Sequence, residues 1–131
     1  MNKKMLLVVV AILLIGGICV YMFVIPKSDP PIKYTNYSPG EFFVTNVDNS
    51  NRLLKTAVVL VLDTDKHQEM LEEKNALIRD TIIFLLRDLD ENMIKAKDTM
   101  DILRTQLIET LNATLEITSI VEVHFNDFVM Q

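Results

Sequence analysis

The sequence predicts a small α+β domain carried behind one transmembrane helix. Three observations predict it. Residues 5–25, "MLLVVVAILLIGGICVYMFVI", run 21 residues without a charge, and a helix of that length rises about 30 Å, the thickness of a bilayer's hydrocarbon core. Two β-forming runs then follow, and a third closes the chain. Between them lie two stretches with helical periodicity, giving the order β-β-α-α-β, which packs helices on one face of a sheet.

The apolar run is longer than the roughly 7–15 residues of a signal-peptide core, and no A-x-A-like cleavage site follows it. Cys19 lacks the small preceding residue of a lipoprotein box, since Ile18 stands there. The run therefore reads as a permanent span, with Cys19 as a small apolar residue within it. Lys3 and Lys4 precede it, whereas Lys27 and Lys33 beyond it are offset by Asp29 and set among prolines. The positive-inside rule then places the N-terminus, residues 1–4, in the cytoplasm, and everything after the span outside it. With a single Cys, no intrachain disulfide can form, so the outer domain must hold by packing.

All four prolines fall within residues 26–40, "PKSDPPIKYTNYSPG". Proline fixes φ and removes a backbone donor, so this segment reads as a stiff linker, about 45 Å long if fully extended. Residues 41–131 form the expected domain. "EFFVTNV" (41–47) is its first strand, "DNSN" (48–51) a turn, and "RLLKTAVVLVL" (52–62) a strand whose apolar end suggests burial on both faces.

Asp63-Thr64-Asp65 offers caps for a helix beginning near Lys66. Its charged first stretch, to Lys74, has only Met70 and Leu71 to bury. From Leu77 the stripe strengthens: Ile78, Ile82, Leu85, Leu86 and Leu89 share a face, with Arg79, Asp80, Arg87 and Asp88 toward the other. A polar break spans 90–97. A second helix, from Thr99 to Thr118 with Asp98 as cap, carries Met100, Leu103, Leu107, Leu111 and Leu115. In the closing strand Val121, Val123 and Phe125 alternate with Glu122, His124 and Asn126, and the parity then breaks at Asn126-Asp127. A bulge would do that. It would either turn Phe128 and Met130 over the domain's own core or present them on another face to a neighbour.

Composition excludes several classes. All 18 acidic and 11 of the 13 basic residues follow the span, and this net negative part has no basic stripe for nucleic acid or for anionic lipid. His67 and His124 lie on different elements with no Cys to join them as metal ligands. Asp63-Thr64-Asp65 and Asp88-Leu89-Asp90 lack the Gly and Glu of a calcium loop. There is no G-x-S-x-G, and Gly16, Gly17 and Gly40 are too few for a phosphate cradle. Asn36-Tyr37-Ser38 and Asn112-Ala113-Thr114 match a very common glycosylation pattern and are discounted. No catalytic set or cofactor site can be assembled from these residues.

The layout and three segments, "NALIRDTIIFLLRDLD", "DILRTQLIETLNATL" and "VEVHFNDFVMQ", resemble the FliL family of flagellar basal-body proteins. Ile78-Arg79-Asp80 fits the family's I-R-D element. Leu103 to Leu115, with Asn112, fits its L-K-x-E-I…I-N-x-L helix, and Val123 to Gln131 its V-Y-F-T-x-F-V-I-Q ending. The chain departs at Lys97-Asp98-Thr99, where the family often has Glu-Gly-Lys, and at His124 and Asn126, where it usually has Tyr and Thr. The resemblance implies a non-enzymatic protein with a stomatin-like outer domain, needing no cofactor or metal. It further implies a ring around MotA- and MotB-type stator subunits that supports torque, stator retention and hence motility and chemotaxis. A ring needs two different surfaces, and the candidates are the early helix, through Glu69, Glu72 and Glu73, and the phase-switched end, through Phe128 and Met130. A tethered extracytoplasmic ligand-binding module is the alternative; it would require a concave pocket with convergent polar groups.

Overall fold

The computed structural model describes residues 2–24 and 28–131. The expected last residue of the span, Ile25, and the start of the expected linker, Pro26 and Lys27, lie outside the described residues, as does Met1. Two compact units form, Met1–Pro31 and Ile32–Gln131. The first contains helix α1 (Lys3–Val24), 22 residues long and apolar enough to cross a membrane, with no buried residue of its own.

The second unit is a sheet with a helical layer. Its strands are β1 (Thr35–Tyr37), β2 (Phe43–Asn46), β3 (Leu53–Leu62) and β4 (Ile120–Met130). Its helices are α2 (Gln68–Glu73), α3 (Asn75–Arg87), α4 (Glu91–Lys95) and α5 (Thr99–Leu115). All strand pairs are antiparallel, and β3 is the centre. β4 pairs with it from Leu54 to Leu62, so β1, opposite Leu60–Leu62, and β2, opposite Leu53–Thr56, must share its other edge.

Several features differ from the sequence reading. The unit runs β-β-β-α-α-α-α-β where the sequence predicts β-β-α-α-β, and the first expected helix is divided at Lys74 into α2 and α3. β1 lies inside the expected linker; Asn36 and Tyr37 there pair with Val61 and Leu60. The caps at Asp63-Thr64-Asp65 are not used, because α2 begins only at Gln68 and its N-cap, His67, makes no side-chain cap bond. Asp98 likewise makes none to α5. The polar break contains α4, whose cap Asp90 accepts from Met93 N at 2.8 Å.

β3 is buried on both faces only at its apolar end, where Leu60, Val61 and Leu62 are all buried. Its inward residues Leu54, Val58 and Leu60 are at most 1% exposed, while Lys55, Ala57 and Val59 stay half-buried on the uncovered side. Ile78, Ile82 and Leu86 of α3, and Leu103, Leu107, Leu111 and Leu115 of α5, pack on the inward side in one continuous core.

The break in β4 is a bulge. Lys55 stands opposite Val129 and Ala57 opposite Asn126, so Asp127 and Phe128 together oppose Thr56 alone. Asp127 takes the left-handed conformation (φ +54°) that the extra residue demands, and aspartate tolerates it better than most. The added residue restores the inward parity: Val123, Phe125 and Met130 oppose Leu60, Val58 and Leu54. A second irregularity, between Val61 and Leu62, sets Val121 out of phase, leaving it exposed beside buried Ile120.

Candidate interaction surface

The junction of α2, α3 and β1 is fixed by a hydrogen-bond network. Tyr37 is buried, and its hydroxyl donates to the Leu71 carbonyl at 3.0 Å. Asn75 Nδ2 donates to Tyr37 Oη at 2.7 Å and to the Pro39 carbonyl at 3.0 Å. The Arg79 guanidinium donates to the Pro39 and Phe42 carbonyls at 3.0 and 3.4 Å and lies 4.5 Å from the Phe43 ring centre. Gly40 suits the position beside it, because its φ of +157° is one that residues with side chains rarely adopt and an added Cβ would push the guanidinium from its place. Arg79 thus clamps the β1–β2 loop. The resemblance singles out Ile78-Arg79-Asp80, but the carbonyl partners of Arg79 lie some forty residues away and leave no local signal.

That network holds α2 against the domain through Leu71, which is fully buried. Glu69, Glu72 and Glu73, spaced three and four apart, share the opposite face and are exposed. Among the described residues no ion pair includes them. Nearby, Lys33 Nζ donates to Asp65 Oδ2 at 2.9 Å, and this bond holds the Asp65 carboxyl below its usual range. Phe128 and Met130, the other predicted contacts, are half-buried against the domain's own core, with the Phe128 ring edge-on to Phe125 at 5.7 Å. The strand's outward residue between them is Val129, half exposed.

At the far end of the domain, Ser50 Oγ donates to Glu91 Oε1 at 2.6 Å, tying α4 to the β2–β3 turn. This hydroxyl is the main reason the Glu91 carboxyl titrates below its ordinary value. A lowered folded-state pKa adds stability at neutral pH, and that stability is lost as pH falls through the lowered value. Ser50→Ala is expected to return the Glu91 titration toward an ordinary glutamate in a carboxyl NMR experiment. An unmoved titration would exclude the serine as the cause.

The histidines do not converge. His67 Nδ1 lies 2.8 Å from Ser119 Oγ, and His124 Nε2 lies 3.6 Å from Glu122. Among the described residues no group of three His, Cys, Asp or Glu side chains could hold a metal ion.

The sequence reading missed the outer face of the helical layer. Phe84 is 68% exposed, although a residue of its kind belongs in the core. At 100° per residue it falls almost opposite Ile82, between Asp80 and Asp88, so helical phase alone could have revealed it. Beside it, Leu85, Leu89, Met93, Ile102 and Leu103 line an apolar groove of about 230 Å³. That is smaller than the roughly 300–1,000 Å³ of small-molecule sites, whereas the adjoining cleft, about 370 Å³, falls within that range. Asp88 borders both this groove and that cleft, an acidic one lined by Asp48, Asp80 and Phe84.

Residues 37–131, from the end of β1 through β4, match the family described as flagellar basal body-associated protein FliL. The chain belongs to the FliL family. Among curated relatives, the flagellar protein FliL of Bacillus subtilis (strain 168) is 26% identical over 91 residues, covering 70% of this chain and 64% of the relative. The flagellar protein FliL of Aquifex aeolicus (strain VF5) is 24% identical over 108 residues, covering 81% and 67%. The matched region thus spans about two thirds of each FliL relative. The family match takes in the whole Arg79 clamp, together with all five candidate contact residues.

Proposed function

We propose that this FliL-family chain is a non-enzymatic basal-body protein that assembles as a ring around MotA- and MotB-type stator subunits and supports stator retention and torque. In this reading α1 anchors it in the inner membrane with residues 1–4 in the cytoplasm and the α+β unit outside. The family match over residues 37–131 carries the proposal. A membrane-length helix, and a rigidly mounted acidic face formed by Glu69, Glu72 and Glu73, support it. That acidic face is assigned to the stator contact, where a basic partner surface would steer association.

Crosslinking in intact motile cells tests the reading. Stator subunits are expected to be recovered with the wild-type chain. Reversal of all three glutamates to lysine is expected to reduce both recovery and swimming speed. Full recovery with the triple variant would remove α2 from the contact, and failure to recover any stator subunit would overturn the proposal itself.

A further inference from the structure

The exposed large apolar residues of the α+β unit are not scattered. Ile32 and Tyr34 precede the first strand, and Val121 sits at its irregularity in β4. The others fall on two sides of the domain: Val44, Leu53 and Val129 on the uncovered sheet side, and Leu77, Phe84, Met93 and Ile102 on the helical layer. A monomer gains nothing by exposing two such faces, and extended apolar surface marks a contact site.

Glu122 lies at the Val61 end of the sheet face, but around Lys55 the charge is opposite in sign to that of the helical side. On the sheet, Val44, Lys55 and Val129 stand in one row across β2, β3 and β4. The Lys55 ammonium lies 4.0 Å from the Phe42 ring centre, so this cation is set in an apolar collar. On the helical layer, the acidic cleft of Asp48, Asp80 and Asp88, with Arg87 on its rim, adjoins Phe84 and the apolar groove. Among the described residues no ion pair includes Lys55, Asp80 or Asp88.

We infer that copies of this chain pack head to tail, the uncovered sheet face of one against the helical face of the next, with Lys55 seated at Asp88 and Phe84 against the Val44–Val129 row. Because the two surfaces differ, each copy keeps one of each unsatisfied, and repetition gives a closed ring or a filament, never a simple two-fold dimer. The inference rests on the ring reading above and specifies its interface. It leaves the acidic face of α2 free for a different partner.

The test uses the full chain in membranes of cells that lack stator subunits, with Cys19→Ser removing the native thiol. Val44→Cys and Phe84→Cys in one chain are expected to give, on mild oxidation, a ladder of dimers, trimers and larger species. Either substitution alone is expected to give none, and co-expression of the two single variants only a dimer. In the ladder-forming background, Lys55→Asp or Asp88→Lys is expected to lower crosslink yield about tenfold, and the two together to restore it, as a directly facing charge pair requires. No ladder from the double-cysteine chain, or a symmetric dimer from Phe84→Cys alone, would overturn the interface. So would charge reversals that leave the yield unchanged, or a swap that fails to rescue. A ladder here, combined with failure to recover any stator subunit from intact motile cells, would uphold the interface while defeating the stator assignment.

Discussion

Leu107→Ala is expected to cost about 2–5 kcal/mol of the domain's stability. Leu107 is fully buried at the middle of α5, where Leu103 and Leu111 lie one turn to either side on the same inward stripe. The helix cannot move in to refill the space, because the stripe holds it along its length and its C-terminus is bonded to β4 through Asn112 and Ile120. The cost is therefore a lost transfer energy plus a persistent cavity. Urea unfolding of the full chain in mild detergent, followed by circular dichroism, measures it against the constant signal of α1. Ile102→Ala on the same helix supplies the contrast. Ile102 is more than half exposed, so its truncation should change stability by no more than about 0.5 kcal/mol. It should instead weaken association between copies. Equal destabilisation by the two substitutions would show that Ile102 is core and that the helical layer has no free apolar face.

The contrast between these two residues marks what the sequence could and could not reveal. The inward stripes of α3 and α5 were legible because each repeats at three and four residues over several turns, and α5 lies where its stripe places it. The bulge at Asp127 was legible as a parity break. Its outcome was not, since parity alone cannot say whether an added residue returns Phe128 and Met130 to the core or turns them away. Pairing with β3 decided that, through contacts some seventy residues apart in sequence. β1 is three residues long, too short for any period, and surrounding prolines masked it. What makes it a strand is tertiary: a buried Tyr37 whose hydroxyl bridges Leu71 and Asn75. The caps failed for a related reason. Asp63 and Asp65 are good cap residues, but Asp63 N donates to Ser119 O and Asp65 is engaged by Lys33, so both serve the sheet end and the N-terminal segment, and the helix starts later.

The candidate surface was less legible than the fold. Glu69, Glu72 and Glu73 could be placed on one face from spacing alone. Lys55, Phe84 and Asp88 could not be grouped, because a contact face is defined by which sides the folded layers leave uncovered. Sequence shows that β3 is apolar toward its end; only the assembled sheet shows that Lys55, Ala57 and Val59 on the outer side remain partly bare while Val61 is covered.

Asn112→Ala is expected to be nearly as damaging as a core truncation, although it removes no apolar contact. Asn112 Nδ2 donates to the Ile120 carbonyl at 2.8 Å, and Ile120 N donates to Asn112 Oδ1 at 3.1 Å. One side chain thereby satisfies both backbone groups of a residue that is 1% exposed. Alanine leaves both without a partner, and at about 1–3 kcal/mol for each buried group the loss is about 2–6 kcal/mol. Asn112→Asp should recover little of it, since aspartate accepts from Ile120 N but sets a charge against the carbonyl oxygen. The distinguishing readout is amide exchange. Ile120 to Val123 should exchange much faster in the alanine variant, while the amides of α3 change only with global stability. Uniform acceleration across the domain would mean that Asn112 supports the core in general, not the start of β4. The same geometry gives a physical reason to discount the glycosylation pattern at this position, because the nitrogen that would carry a glycan is the one bonded to Ile120. It also links this buried amide to the proposed interface. Asn112 fixes where β4 begins, the bulge at Asp127 fixes where its parity resumes, and those two constraints set Val129 beside Lys55 on the outer sheet face.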